Sequence, residues 1–260
     1  MSSANPNLQN IPKKQKYRSC FVAGEGNSLI TCDMSSAELR ILGNLSRDPV
    51  FLECFKNGID LHTRSASEIF KVAMNAVDES MRDACKALSF GLMYGLSKFG
   101  LARRLKISET DAQSLINNYF NVFKNVKKYL DKSATDAVMR GYSLSISGRR
   151  RYYSRPANDH PDRDKIINSI KRQAMNAPIQ GANADTIKKS MIYIVDRLEK
   201  SGLPAKLILT VHDEVIVETA NECKKEVAEI ISQSVVDGFN SYFSLITMES
   251  EAVMGPSWLK

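Results

Sequence analysis

Asp33 and Asp213 each stand at the end of an apolar run. Asp33 closes Leu29–Cys32, and Asp213 lies in His212-Asp213-Glu214, between Leu207–Val211 and Val215–Glu218. A carboxylate at a strand end can be exposed while a rigid sheet holds it. Two such groups brought together repel unless a cation neutralises them. Hard oxygens favour Mg²⁺, which combines one or two carboxylates with waters and substrate phosphates. Each residue also has an ordinary explanation: Asp33 as a helix cap, Asp213 as a turn residue.

A second pattern is basic and aromatic. Arg82, Lys86, Phe90 and Tyr94 recur every four residues. On a helix they form one stripe, two cations followed by two rings. Cations of this kind hold phosphate oxygens, and rings stack on a sugar and base. The alternative is a solvated basic end running into core aromatics. His62 lies upstream, with either a structural or a binding role. Glu38 ends Ser35-Ser36-Ala37-Glu38, which matches a capping box. Arg149, Arg150 and Arg151 begin the most basic region, about 149–172, suited to a phosphate backbone or to solvent. Asn176, Gln180 and Asn183 follow Arg172. Amides and arginines can donate to base edges in a minor groove.

These residues need strands at both ends of the chain and helices between. Residues 1–19, with Pro6, Pro12, Lys13, Lys14, Lys16 and Arg18, read as an extended arm. Phe21–Val22 and Leu29–Cys32 read as two strands around a glycine turn. Leu39, Leu42 and Leu45 mark a helix from Ser35. The segment from Leu61 to Met175 is mostly helical, and the stretch after Arg172 is broken by Pro178 and Gly181. A helix over 184–200, a strand-turn-strand hairpin, a helix over Cys223–Phe239 and a strand over Ile246–Val253 complete the chain. The fold class is α+β, an antiparallel sheet with a large helical insertion.

Composition sets the wider limits. The chain has 260 residues and a formal charge of +7, which suggests a polyanionic partner without identifying one. Its five cysteines form no CxxC pair, so neither a zinc nor a disulfide framework is expected. Reduced thiols in a cytoplasmic compartment are the expectation. No apolar run is long enough to span a bilayer and no signal peptide is visible, so no membrane partner is expected.

The wording and order of these segments resemble the polymerase domain of family A DNA polymerases, the bacterial polymerase I-like group. The arm from Ser3 to Pro12 matches the segment before the family's first catalytic motif. Asp33-Met34-Ser35-Ser36-Ala37-Glu38-Leu39-Arg40 is similar to motif A, usually DYSQIELR. Arg82, Lys86, Phe90 and Tyr94-Gly95 match motif B, RxxxKxxxFxxxYG. Arg172, Asn176, Pro178, Gln180-Gly181 and Asp185 match a further segment, and Val211-His212-Asp213-Glu214 resembles motif C, usually QVHDE.

The resemblance implies template-directed, Mg²⁺-dependent transfer of deoxynucleotides to a primer 3′-hydroxyl. Asp33, Asp213 and the backbone carbonyl of Met34 are then expected to bind two Mg²⁺ ions, with Mn²⁺ as a substitute, supported by Glu214. Arg82, Lys86 and His62 are expected on the triphosphate, Phe90 on the sugar and Tyr94 by the templating position. Glu38 is expected as a gate against the ribose 2′-hydroxyl. Arg172, Asn176, Gln180, His212, Asn10 and Arg40 are expected at primer-template DNA. The implied domains are palm over 1–62 and 173–260 and fingers over 63–172, with the thumb and the first part of the palm absent. A bacterial cytoplasm or phage-infected cell is the expected setting.

Met34 replaces the usual Tyr of motif A, Ser36 and Ala37 replace Gln and Ile, and Thr210 replaces the Gln of motif C. These departures bear on fidelity and sugar discrimination more than on chemistry. Two other readings compete. One is a polymerase-derived fragment that binds primer-template or nucleotide but needs a separately encoded thumb, or an exonuclease polypeptide, as partner. The other is a two-metal nuclease, since paired aspartates also serve hydrolysis. The stripe from Arg82 to Tyr94 opposes that one, because a nuclease needs no triphosphate grip.

Overall fold

The computed structural model describes residues 5–12 and 14–259. Ser3, Ala4 and Lys13 of the expected arm lie outside them. In chain order the elements are α1 (Gln15–Arg18), β1 (Asn27–Asp33), α2 (Ala37–Ser46), α3 (Pro49–Lys56), α4 (Leu61–Phe70), α5 (Glu79–Met93), α6 (Lys98–Leu105), α7 (Glu109–Val122) and α8 (Lys124–Arg140). Then follow β2 (Tyr142–Leu144), β3 (Arg150–Tyr152), α9 (Arg163–Ser201), β4 (Ala205–Val211), β5 (Glu214–Ala220), α10 (Lys224–Asn240) and β6 (Ala252–Gly255). They form two compact units. The first is Met1–Ala37 with Asn183–Lys260, and the second is Glu38–Ala182. The expected boundaries fell at 62/63 and 172/173.

The first unit is built on an antiparallel sheet of order β4-β5-β1-β6. β1 is central, and all five of its inner residues are buried. That explains its unbroken apolar run, since a strand covered on both faces cannot alternate. α10 packs along β1 and β6. Leu29, Val211, Ile216 and Trp258 form an apolar cluster joined by Ile11, Ala23 and Leu209.

Several expectations are corrected here. Phe21–Val22 is not a hairpin partner of β1, because both edges of β1 are taken by β5 and β6. Val22 instead bridges to Ser257. The last strand begins at Ala252, six residues later than expected. The arm is not wholly extended, since Leu8–Asn10 forms a single 3₁₀ turn and Gln15–Arg18 a helical one.

In the second unit, successive helices start on polar caps. Asp48, Asp60, Asp78, Ser97 and Ser108 each accept a backbone N–H in the first turn of α3 to α7. Those bonds satisfy donors that a helix start would otherwise leave open. Asp48 also accepts the amides of Asn125 and Val126 at the start of α8, so one buried carboxylate fixes two helices. Phe51, Tyr119 and Phe123 fill the space beneath, with ring centroids 5.2 Å and 4.6 Å apart.

α9 runs 39 residues through Pro178 and Gly181, where a break was expected. A proline removes one backbone bond, but the buried stripe continues past it through Ala174, Ala177, Ala182 and Ile187. Gly181 marks a close approach rather than a break. A Cβ there would meet that of Ser145 at 2.7 Å.

Candidate active site

In the first unit, Asp33 and Asp213 lie at the same end of the sheet. Asp33 stands opposite Glu214 in the β1–β5 register. The Met34 N–H donates to the Asp213 carbonyl at 3.1 Å. A main-chain bond therefore ties together the two strand ends that carry the aspartates. The Asp33 carbonyl accepts the Ser250 hydroxyl at 2.7 Å. Burial pushes the neighbouring Cys32 thiol up to about 11, so it adds no charge beside Asp33.

β4 and β5 are joined by His212-Asp213 alone, with Val211 paired to Glu214. His212 has φ 56°, a left-handed conformation that non-glycine residues seldom adopt. The Gln9 side chain braces it. Its amide nitrogen donates to the Thr210 carbonyl at 2.7 Å, and its oxygen accepts the His212 N–H at 2.8 Å. This holds the turn that presents Asp213.

The donor set fits a hard divalent cation. Among the described residues no group of three or more His, Cys, Asp or Glu forms a protein-only cage. What exists is two half-buried carboxylates and the carbonyl of Met34, which accepts the Ala37 N–H at 3.3 Å and keeps a second lone pair. That partial set is what Mg²⁺ takes when waters and phosphates complete its shell. Glu214 is turned to other partners. Its carboxylate is 2 % exposed and accepts from Arg18 and from the Trp258 indole.

In the second unit, Arg82, Lys86 and Phe90 lie along α5, and Tyr94 caps its C-terminus. Lys86 is exposed. The Arg82 guanidinium donates to both oxygens of Asp60, at 2.8 Å and 3.2 Å. Burial works to raise the Asp60 pKa. Hydrogen bonds from Arg82 and Thr63 outweigh it and hold the carboxyl well below the usual range. His62 is 7 % exposed, with its ring 5.9 Å from that of Phe90. Burial lowers its pKa; Asp60 pulls the other way, and the Arg82 and Lys86 charges add to the lowering, so the neutral ring is favoured.

Glu38, Tyr94 and Gln180 converge. The Tyr94 hydroxyl donates to Glu38 at 2.8 Å, and the Gln180 amide donates to both Glu38 and Tyr94. α2 begins at Ala37, which makes Glu38 its second residue rather than the third that a capping box uses. Gly95, which follows Tyr94, has φ 70°, and a Cβ there would lie 2.9 Å from that of Arg172. The glycine lets the turn after α5 rest on the Arg172 stem.

The family model for DNA polymerase family A matches residues 1–260. The chain belongs to DNA polymerase family A. It is 38% identical to DNA polymerase I of Bacillus subtilis over 265 residues, covering 99% of this chain and 29% of that protein. It is 38% identical to the thermostable DNA polymerase I of Thermus aquaticus over 267 residues, covering 100% of this chain and 31% of that protein. Among solved structures, it is similar to the POL domain of Pol1 from M. smegmatis in complex with DNA primer-template and dNTP. That likeness has a TM-score of 0.90 and 37% identity, over 99% of this chain and 45% of that one. The chain thus spans less than a third of the length of these curated relatives.

The remaining expected residues of this family A chain are placed variously. Asn10 and His212 are exposed in the first unit. Arg172 is exposed in the second, where the Asn176 amide nitrogen is buried with no partner among the described residues. Arg40 is 5 % exposed, with its guanidinium 4.8 Å from the Phe55 ring centroid. The basic turn is partly structural. Arg149 donates to the Gly181 carbonyl, Arg151 to Gln173, and Arg155 to the last carbonyls of α8 at Val138 and Met139. Sequence reading missed Gln9, Asp60 and Trp258, and placed Arg18 only in a basic arm. Trp258 carried one signal: it is the sole tryptophan of the chain.

Proposed function

We propose that this chain catalyses template-directed transfer of deoxynucleotides to a primer 3′-hydroxyl, with release of pyrophosphate. The observation that carries the reading is the main-chain bond from Met34 to Asp213, which joins the end of β1 after Asp33 to the turn that carries Asp213. The first unit acts as palm and the second as fingers. Asp33, Asp213 and the Met34 carbonyl hold two Mg²⁺ ions, for which Mn²⁺ can substitute. When bound, these ions lower the pKa of the 3′-hydroxyl and neutralise the charge of the leaving pyrophosphate.

The chain's own residues do the rest. Lys86 and Arg82 hold the triphosphate, with neutral His62 donating from one ring nitrogen. Phe90 lies along the sugar, and Tyr94 stands at the templating position. Glu38, fixed by Tyr94 and Gln180, occupies the space a 2′-hydroxyl needs. Arg172, Asn176, Gln180, His212, Asn10 and Arg40 are assigned to the primer-template. The 3′-oxygen forms a bond to the α-phosphorus as the bond to pyrophosphate breaks, and the hydroxyl proton leaves to water.

The test is primer extension by the isolated chain with four deoxynucleotides and Mg²⁺. Template-dependent products support the reading. Salt-sensitive binding of primer-template without extension leaves a DNA-binding role, and degradation of the primer identifies a nuclease.

A further inference from the structure

Three acidic residues lie at the end of β1 and β5: Asp33, Asp213 and Glu214. Directly paired residues of antiparallel strands point to the same face, so Glu214 shares a face with Asp33. An unpaired carboxylate buried there is costly to hold, and it competes for any cation that Asp33 binds. Two residues remote in sequence deal with it. One Arg18 nitrogen donates to both Glu214 oxygens at 3.0 Å, and Trp258 Nε1 donates to Oε1 at 2.7 Å. The Arg18 guanidinium also lies 4.0 Å from the Trp258 ring centroid. All three side chains are almost wholly buried.

Backbone bonds hold Trp258 in turn. Its N–H donates to the Phe21 carbonyl at 2.9 Å, and Ala23 donates to the Pro256 carbonyl at 2.9 Å. The Gln15 amide donates to the Trp258 carbonyl at 3.3 Å, and Phe21 meets the indole edge-on. A tail segment is thereby tied to the residues that follow α1.

We propose that Arg18 and Trp258 are positioning residues. They neutralise Glu214 and hold it back, leaving Asp33 and Asp213 to receive the cation. This rests on the polymerase reading but makes a separate demand, that Glu214 is held from behind by the strap at Trp258.

The sole tryptophan gives a readout independent of activity. Glu214→Gln and Arg18→Lys should each change Trp258 emission in the DNA-free chain. Titration with Mg²⁺ alone should also change that emission, with a midpoint about 10–100-fold higher in Arg18→Lys. In primer extension, Trp258→Phe keeps an aromatic ring, a smaller one, and loses the donor. It should lower kcat about 10–100-fold while KM for the nucleotide changes less than about twofold. Phe243→Leu, which loosens the same unit where Phe243 packs on Phe239, should keep its kcat. Emission unchanged in both Glu214→Gln and Arg18→Lys overturns the proposal. So does wild-type kcat in Trp258→Phe, or an equal kcat loss in Phe243→Leu. If the wild-type chain extends no primer, the polymerase reading falls, and the emission and Mg²⁺ midpoints still decide the positioning role.

Discussion

Asp60 holds Arg82 by two hydrogen bonds while its own Oδ2 caps α4 through Thr63. One carboxylate thus fixes both a helix start and the first cation of the α5 stripe. Arg82 has five N–H donors, so bonds to Asp60 orient the guanidinium and leave others for phosphate. Asp60→Asn should keep the cap, lose the orientation and raise KM for the nucleotide a few-fold. The folded-state pKa of Asp60 lies below its ordinary 3.8. Its contribution to stability is therefore present above that value and lost as pH falls through the folded one. Melting temperature measured from neutral pH down to about 2.5 should fall more steeply in wild type than in Asp60→Asn. Parallel curves would show that the pair adds no pH-dependent stability.

Asp33→Asn and Asp213→Asn should each lower incorporation by at least about 100-fold, because each removes a charge from the reacting centre. Neither change removes the main-chain carbonyls that accept the Met34 N–H at Asp213 and the Ser250 hydroxyl at Asp33. Melting temperature measured alongside separates a loss of chemistry from a loss of fold. Near-normal extension by either variant would remove that aspartate from the metal site.

What was legible in the sequence was chiefly local. The apolar run at β1, the tip at Asp213 and the four-residue stripe on α5 depend on neighbours a few positions apart. The misplaced elements depend on partners far along the chain. Nothing near Val22 says that it will bridge Ser257, and nothing near Pro178 says that the buried stripe continues past it. The same holds at the site. Gln9 gains its role from a turn 201 residues or more away, and Arg18 from a carboxylate 196 residues away. In the basic turn, charge count alone does not reveal that Arg149 will bond the Gly181 carbonyl or Arg151 the Gln173 side chain.

The Gln9 brace can be measured directly. Gln9→Ala deletes two hydrogen bonds to the turn that carries Asp213, a loss of about 1–3 kcal/mol if both are worth their usual net value. Primer extension should slow together with the drop in melting temperature. His212→Gly should restore part of the stability in the Gln9→Ala background, since glycine adopts the left-handed turn without strain. No recovery in the double variant would mean that Gln9 does not act through the turn.

Gly95→Ala tests the contact between the end of α5 and Arg172. A left-handed conformation costs a non-glycine residue about 1–2 kcal/mol, and the added methyl also crowds the Arg172 stem. Thermal melting should show at least this loss, with weaker primer-template affinity as Arg172 is displaced. An unchanged melting temperature would show that the turn can relax away from α9.

Glu38 offers the sharpest discrimination between two roles for one side chain. As a gate, its carboxylate must be held in place, and Tyr94 and Gln180 are the groups that hold it. Glu38→Ala should then raise ribonucleotide use relative to deoxynucleotide use, while Tyr94→Phe and Gln180→Ala should do so to a smaller degree by loosening the same carboxylate. Glu38→Gln keeps the size and alters the charge, so its selectivity should lie between those of wild type and Glu38→Ala. A helix-capping role alone makes a different forecast: about 0.5–2 kcal/mol of stability lost in Glu38→Ala with sugar selectivity unmoved. The measurement is the ratio of kcat/KM for the two sugars across the five proteins. A constant ratio, with a lower melting temperature in Glu38→Ala, would make Glu38 a helix-start residue and place sugar selection elsewhere.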